Sequence, residues 1–173
     1  MSTATDYILQ AQGLSKQFRG FYAVKDVNLN VRRHGIHALI GPNGAGKTTC
    51  FNLLTTFLKP TAGRILFNGR SIERSDPATV ADSGMVRSFQ ISAVFGQMTV
   101  LENVRVALQR KTRWNYAFWR DQDVLHVLDG RARELLDMVG LGKWADTPAA
   151  ELSYGRKRVL ELATTIALEP ELI

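Results

Sequence analysis

Residues 41 to 48 read Gly41-Pro42-Asn43-Gly44-Ala45-Gly46-Lys47-Thr48, with glycines at the turns and a lysine next to a hydroxyl at the end. A short, mostly apolar run (Ile36 to Ile40) precedes the stretch and a helical pattern (Lys47 to Phe57) follows it. This order has a physical use. Glycines let successive backbone N–H groups turn inward around an anion, and the start of the following helix adds the favourable end of its dipole. A lysine placed there reaches the β and γ phosphates of a nucleotide, and a threonine beside it offers its hydroxyl to Mg²⁺. The stretch therefore predicts a phosphate-binding loop.

A second candidate is Leu152-Ser153-Tyr154-Gly155-Arg156, which opens another helical pattern. Ser153 is a suitable N-cap, and Gly155 permits close approach of a phosphate to the backbone. Taken alone, the segment reads first as an ordinary capped helix, since such helices are very common. His34, His37 and His126 share no metal-ligand spacing with the single Cys50, which argues against a zinc site. One cysteine also rules out an internal disulfide and fits a reducing compartment.

The elements that must hold these residues follow from periodicity. From about Ile8 to Val31 two β-rich runs, the second alternating Val27, Leu29 and Val31, predict an antiparallel sheet with one covered face. Ile36 to Ile40 predicts a buried strand leading into the loop. Arg64 to Phe67 reads as a further strand, and Asn68-Gly69 as a tight turn. Asp76-Pro77 predicts a short helix towards Gly84, with Met85 to Phe89 returning as a strand. From Thr99 the period changes: Thr99-Val100-Leu101-Glu102 is a capping box, and Val124, Leu128, Ala132, Leu135 and Val139 form a helical stripe. Gly140 and Gly142 end that helix, and Ser153 starts another that runs towards Pro170.

The chain has 173 residues, a formal net charge of +6 and a sequence pI near 9.8. Such a balance suits nucleic acid only if the cations gather, and here they are spread along the chain. Arg110-Lys111-Arg113 and Arg156-Lys157-Arg158 are short clusters of the kind found on solvated helix faces, so no nucleic-acid partner is expected. No apolar run approaches a membrane span, and the polar start MSTATD is unlike a signal peptide. The reading is a cytoplasmic protein that meets a membrane through a partner.

With Thr49 added, the loop has the form found in ATP-binding subunits of ABC transporters, and Leu152 to Arg156 resembles the signature motif of that family. Gln90, in Arg87-Ser88-Phe89-Gln90, falls where the family has its Q-loop. The likeness is greatest to the branched-chain amino-acid importers, notably in Phe51-Asn52-Leu53-Leu54-Thr55, Lys59-Pro60-Thr61 and Met98-Thr99-Val100-Leu101-Glu102-Asn103-Val104; urea and other amide importers share much of the pattern. The resemblance implies an α/β fold: a P-loop NTPase core with an antiparallel β subdomain over residues 8–90 and a helical subdomain with the signature helix over 91–168. It implies ATP and Mg²⁺ as cofactors, with Gly41 to Thr49 on the phosphates and Thr48 and Gln90 towards the metal. Phe18 is placed to stack on adenine, with Phe21 and Tyr22 close enough to leave the choice open. Ser153, Tyr154, Gly155 and Arg156 would act in trans, on nucleotide held by a second ATP-binding subunit. Transmembrane permease subunits and, indirectly, a substrate-binding protein complete the implied partners, with this chain peripheral on the inner face of the membrane.

In the family an apolar strand with an aspartate and a glutamate, then a histidine, follows the signature helix; residues 169–173 stand where that strand begins, and the sequence stops at Ile173. This predicts an incomplete core in which nucleotide binding survives while hydrolysis stays near background, because turnover requires a positioned nucleophile. It also predicts an exposed sheet edge and apolar helix faces. The competing readings are a nucleotide-binding protein without catalysis and another phosphate-loop enzyme such as a small-molecule kinase or a GTPase; no Asn-Lys-x-Asp guanine-reading motif supports the last. Trp114, Tyr116, Phe118 and Trp119 are read as packing within the helical half, with contact to a permease or the membrane surface as the alternative.

Overall fold

The computed structural model describes residues 6–88, 94–111 and 128–173. Gln90, His126 and the aromatic group from Trp114 to Trp119 lie outside these residues. The chain divides into two compact units, Met1–Met85 with Leu172, and Val86–Glu171 with Ile173.

The first unit is built on an antiparallel sheet. Strands β1 (Tyr7–Phe18) and β2 (Phe21–Arg32) form a long hairpin, and β3 (Ala62–Phe67) and β4 (Arg70–Ser71) form a short one, giving the order β2-β1-β3-β4. The turn between β3 and β4 is Asn68-Gly69, with φ of 50° and 75°, the left-handed pair that matches the twist of a two-residue hairpin. Ile8, Leu14, Val24, Ile65 and Phe67 cover one face of the sheet, and Leu53 from helix α1 (Lys47–Leu54) is fully buried in the same cluster. Each such side chain contributes about 1.5–3 kcal/mol on leaving water. Helix α1 ends earlier than its apolar pattern predicts, since Thr56 takes a φ of 60°. Helix α2 (Pro77–Asp82) starts at the proline as expected, although Asp76 makes no side-chain cap bond.

Two expected strands differ. Residues 36–40 have no regular structure, and Ile36 and Ile40 are 103% and 90% exposed. An apolar run becomes a buried strand only when neighbours pair with its backbone, and no strand among the described residues does so. Of the run expected from Met85 to Phe89, Met85 pairs in an isolated parallel bridge to Leu172, Val86 to Ser88 are irregular, and Phe89 lies outside the described residues.

The second unit is helical. Helices α3 (Val100–Lys111), α4 (Asp129–Met138) and α5 (Tyr154–Ala167) pack around Val100, Val104, Leu135, Leu136 and Leu160, all essentially buried. The capping box forms as read: Thr99 donates its backbone N–H and its hydroxyl to Glu102 Oε2 at 2.7 and 2.9 Å, and the Glu102 N–H returns to Thr99 Oγ1 at 3.2 Å. Two single-turn 3₁₀ segments, Gly142–Trp144 and Ala149–Glu151, lead from α4 to α5.

Candidate nucleotide-binding site

The loop takes the shape that its glycines permit. Gly44 and Gly46 have φ of 84° and 83°, and Gly46 is the N-cap of α1. Ala45 donates to the Pro42 carbonyl at 3.2 Å, and Cys50 donates to the Gly46 carbonyl at 2.8 Å as α1 begins. Helix α1 has neither a side-chain cap nor an acidic residue in its first turn. The opening N–H groups of such a helix have no intrahelical partner, and nothing local offsets the positive end of its dipole. Gly46 also packs against the backbone of β2, so close to the Ala23 carbonyl that a Cβ has no room. The loop is thus docked on the sheet at one end and continues into the helix at the other.

Lys47 bridges the loop. Its ammonium donates to the carbonyls of Gly41 and Pro42, both at 2.6 Å. Those two bonds use two of its three donors and hold the charge over the loop, which leaves one donor for a phosphate oxygen. Thr48 follows and is exposed, and Thr49 is half-buried. These features suit a phosphate chain: a cation and an uncapped helix start stand together with no acidic residue in the first turn. For Mg²⁺ the described residues supply the Thr48 hydroxyl, and no group of three His, Cys, Asp or Glu among them could hold a metal.

The three candidate adenine-stacking residues sit at the tip of the β1–β2 hairpin. Phe18 and Phe21 are directly paired across it, and Phe18, Phe21 and Tyr22 are 46%, 74% and 44% exposed. Lys16 lies 5.3 Å from the Phe18 ring centroid and Lys25 5.4 Å from that of Tyr22. Phe21 is thus the most exposed of the three, while Phe18 and Tyr22 each have a lysine beside the ring.

In the helical unit, Leu152 is buried and Ser153, Tyr154, Gly155 and Arg156 are exposed at the start of α5. Ser153 caps as expected but loosely, accepting from the Arg156 N–H at 3.5 Å. Among the described residues, nothing beyond its chain neighbours and its own helix backbone lies within 4 Å of where a Gly155 Cβ would point. The basic cluster beside it lies at the surface, as its composition suggests, with Arg156 exposed and Lys157 and Arg158 partly so, and each cation also has a partner. The Arg156 guanidinium lies 4.1 Å from the Trp144 ring centroid, Lys157 Nζ donates to the Ala150 carbonyl at 2.9 Å, and Arg158 donates twice to the Tyr154 hydroxyl at 3.1 and 2.7 Å. Ala23 and Trp144 were not singled out by sequence reasoning: one acts through its backbone carbonyl, and the other is twelve positions from the arginine it meets. The Cys50 thiol, beneath the loop helix, is buried, and burial pushes its pKa up.

Comparison with known proteins agrees with this geometry. The chain is 40% identical over 174 residues to the high-affinity branched-chain amino acid transport ATP-binding protein LivG of Salmonella typhimurium, covering 96% of this chain and 67% of that protein. It is 37% identical to the corresponding protein BraF of Pseudomonas aeruginosa, with the same shares covered. Among solved structures, the ADP conformation of an ATP-binding cassette of an ABC transporter superposes with a TM-score of 0.76 at 28% identity, covering 95% of this chain and 66% of that one. A dimeric cassette in a post-hydrolysis state bound to ADP and Pi gives 0.73 at 25% identity, covering 94% and 70%. The chain therefore spans about two thirds of the length of these relatives, and the fold is that of a P-loop ATPase cassette. The model of the ABC transporter family matches residues 24–173, from within β2 through the loop and the signature turn, and to that family the chain belongs.

Proposed function

We propose that the chain is the nucleotide-binding part of an ABC importer for branched-chain amino acids or related amides, and that it binds Mg-ATP in the Gly41 to Thr49 loop. The observation that carries the reading is the loop itself, with Lys47 bonded to the carbonyls of Gly41 and Pro42 at the uncapped start of α1. Thr48 would hold Mg²⁺, with Gln90 as a second ligand. Phe18 would stack on adenine, and Ser153 to Arg156 would close on the triphosphate of a second ATP-binding subunit. The likeness to a dimeric cassette and the names of the amino-acid transport relatives support these assignments. Permease subunits would hold the protein at the inner face of the membrane, and no helix among the described residues is long and apolar enough to cross one. These residues anchor phosphate, whereas orienting an attacking water is separate work for a carboxylate. Titration of the chain with a fluorescent ATP analogue tests the reading: saturable, Mg²⁺-dependent binding is expected, falling at least tenfold in Lys47→Ala. Equal affinity of the two proteins would overturn it.

A further inference from the structure

The turn that begins α5 carries little of its own restraint. The cap bond from the Arg156 N–H to Ser153 Oγ is 3.5 Å long, at the limit of a hydrogen bond, and the space over Gly155 is open. No acidic residue stands in the first turn of α5, while Arg156, Lys157 and Arg158 add positive charge at an end where the helix dipole is already positive. Such a turn attracts an anion, but three mobile cations would also compete for it and blur the surface on which it lands.

Trp144 addresses this for the nearest cation. Its backbone is fixed in the 3₁₀ turn Gly142–Trp144, where its N–H donates to the Leu141 carbonyl at 2.9 Å and its carbonyl accepts from Thr147 at 3.0 Å. Its half-buried side chain packs against the core of the helical unit. The ring therefore offers a rigid platform, and the Arg156 guanidinium lies 4.1 Å from its centroid, within cation–π range. Lys157, bonded to the Ala150 carbonyl, ties down the next position in the same direction. With the Arg156 side chain laid on Trp144, its backbone N–H stays beside Ser153 and the space over Gly155 is left clear, while Arg158 lies against Tyr154.

We propose that Trp144 is a positioning residue for the signature turn: by stacking under Arg156 it holds the Ser153–Arg156 backbone open to the triphosphate carried by a second copy of the chain. The proposal rests on the reading that this turn acts on nucleotide in trans. It is tested by sedimentation of the chain with Mg-ATP, alongside ATP affinity per protomer. Trp144→Ala is expected to keep its ATP affinity and to associate roughly three- to tenfold more weakly, the range set by loss of a cation–π contact. Trp144→Phe, which keeps a ring under the guanidinium, should restore most of the association. Arg156→Ala should weaken it as Trp144→Ala does, and the double variant should be no worse than either single one, since both break one contact. Association of Trp144→Ala at the wild-type level, failure of Trp144→Phe to recover, or full additivity in the double variant would each overturn the role of Trp144 while leaving the trans site standing. A wild-type chain that binds ATP but does not associate would remove the trans site, and one that does not bind ATP would remove the nucleotide reading itself.

Discussion

A β-carbon at Gly46 would clash with the carbonyl oxygen of Ala23, so the last glycine of the loop is also the point where the loop seats on strand β2. Its φ of 83° adds a second restriction to the same position. Gly44 has nearly the same φ, 84°, but no atom lies within 4 Å of its missing Cβ. The two glycines should therefore respond differently. Gly44→Ala meets only the left-handed backbone penalty of about 1–2 kcal/mol. Gly46→Ala meets that penalty and a clash with backbone that has no room to move, so it should cost more and lift the start of α1 from the sheet. Urea denaturation and ATP binding of both variants check this, and equal stability of the two would show that the contact with Ala23 is unimportant.

A second prediction concerns Asn103, a polar side chain only 3% exposed. Its carbonyl accepts from the Phe95 N–H at 2.8 Å, and its amide donates to the carbonyls of Phe95 and Thr99 at 3.1 and 2.8 Å, with Met98 further off at 3.4 Å. One side chain thus satisfies the backbone of the loop before α3. Asn103→Ala strands these groups, at about 1–3 kcal/mol for each one left buried without a partner. Asn103→Asp keeps the acceptor for Phe95 but turns a carboxylate oxygen towards the carbonyls that the amide served, at a site only 3% exposed, so near neutral pH it should cost more than Asn103→Ala. Hydrogen exchange should speed up from Phe95 to Thr99 in the alanine variant. Unchanged protection there would contradict the assignment.

What could be read from the sequence was the part governed by short-range rules. The positive φ of Gly44, Gly46 and Gly69, the hairpin turn at Asn68, the proline start of α2 and the capping box at Thr99 each depend on residues within about four positions, and each is where its pattern puts it. The run from Ile36 to Ile40 had the right composition for a strand and still has no strand structure, because strand formation needs backbone partners that its own residues do not encode. Asn103 and Trp144 were missed for a related reason. Asn103 reaches back eight residues to Phe95, and Trp144 meets Arg156 across two elements, so neither contact leaves a local motif. The basic cluster at Arg156 is at the surface as read, but the partners of its cations could not be read, because composition does not tell which way a long side chain turns.

The last prediction follows from the capping box. Glu102 is held below the usual carboxylate range, first by the hydrogen bond from the Thr99 backbone N–H, then by that from the Thr99 hydroxyl, with a smaller contribution from the charge of Arg105. A carboxyl with a depressed folded pKa adds stability that is fully present above its unfolded value, about pH 4.3, and is lost as pH falls through the lower folded value. Protonation removes the charge that draws the Thr99 donors, so the start of α3 should loosen in acid. Glu102→Gln keeps an oxygen for the backbone N–H and has no proton to gain, so it should be less stable than wild type at neutral pH and should lose less on acidification. Thr99→Ala removes the reciprocal bond to the Glu102 N–H and should cost about 0.5–2 kcal/mol at neutral pH. Denaturation midpoints at neutral pH and below pH 4.3 compare the three proteins, and a Glu102→Gln curve parallel to that of wild type would mean that the acid sensitivity of the helical unit arises at other carboxylates.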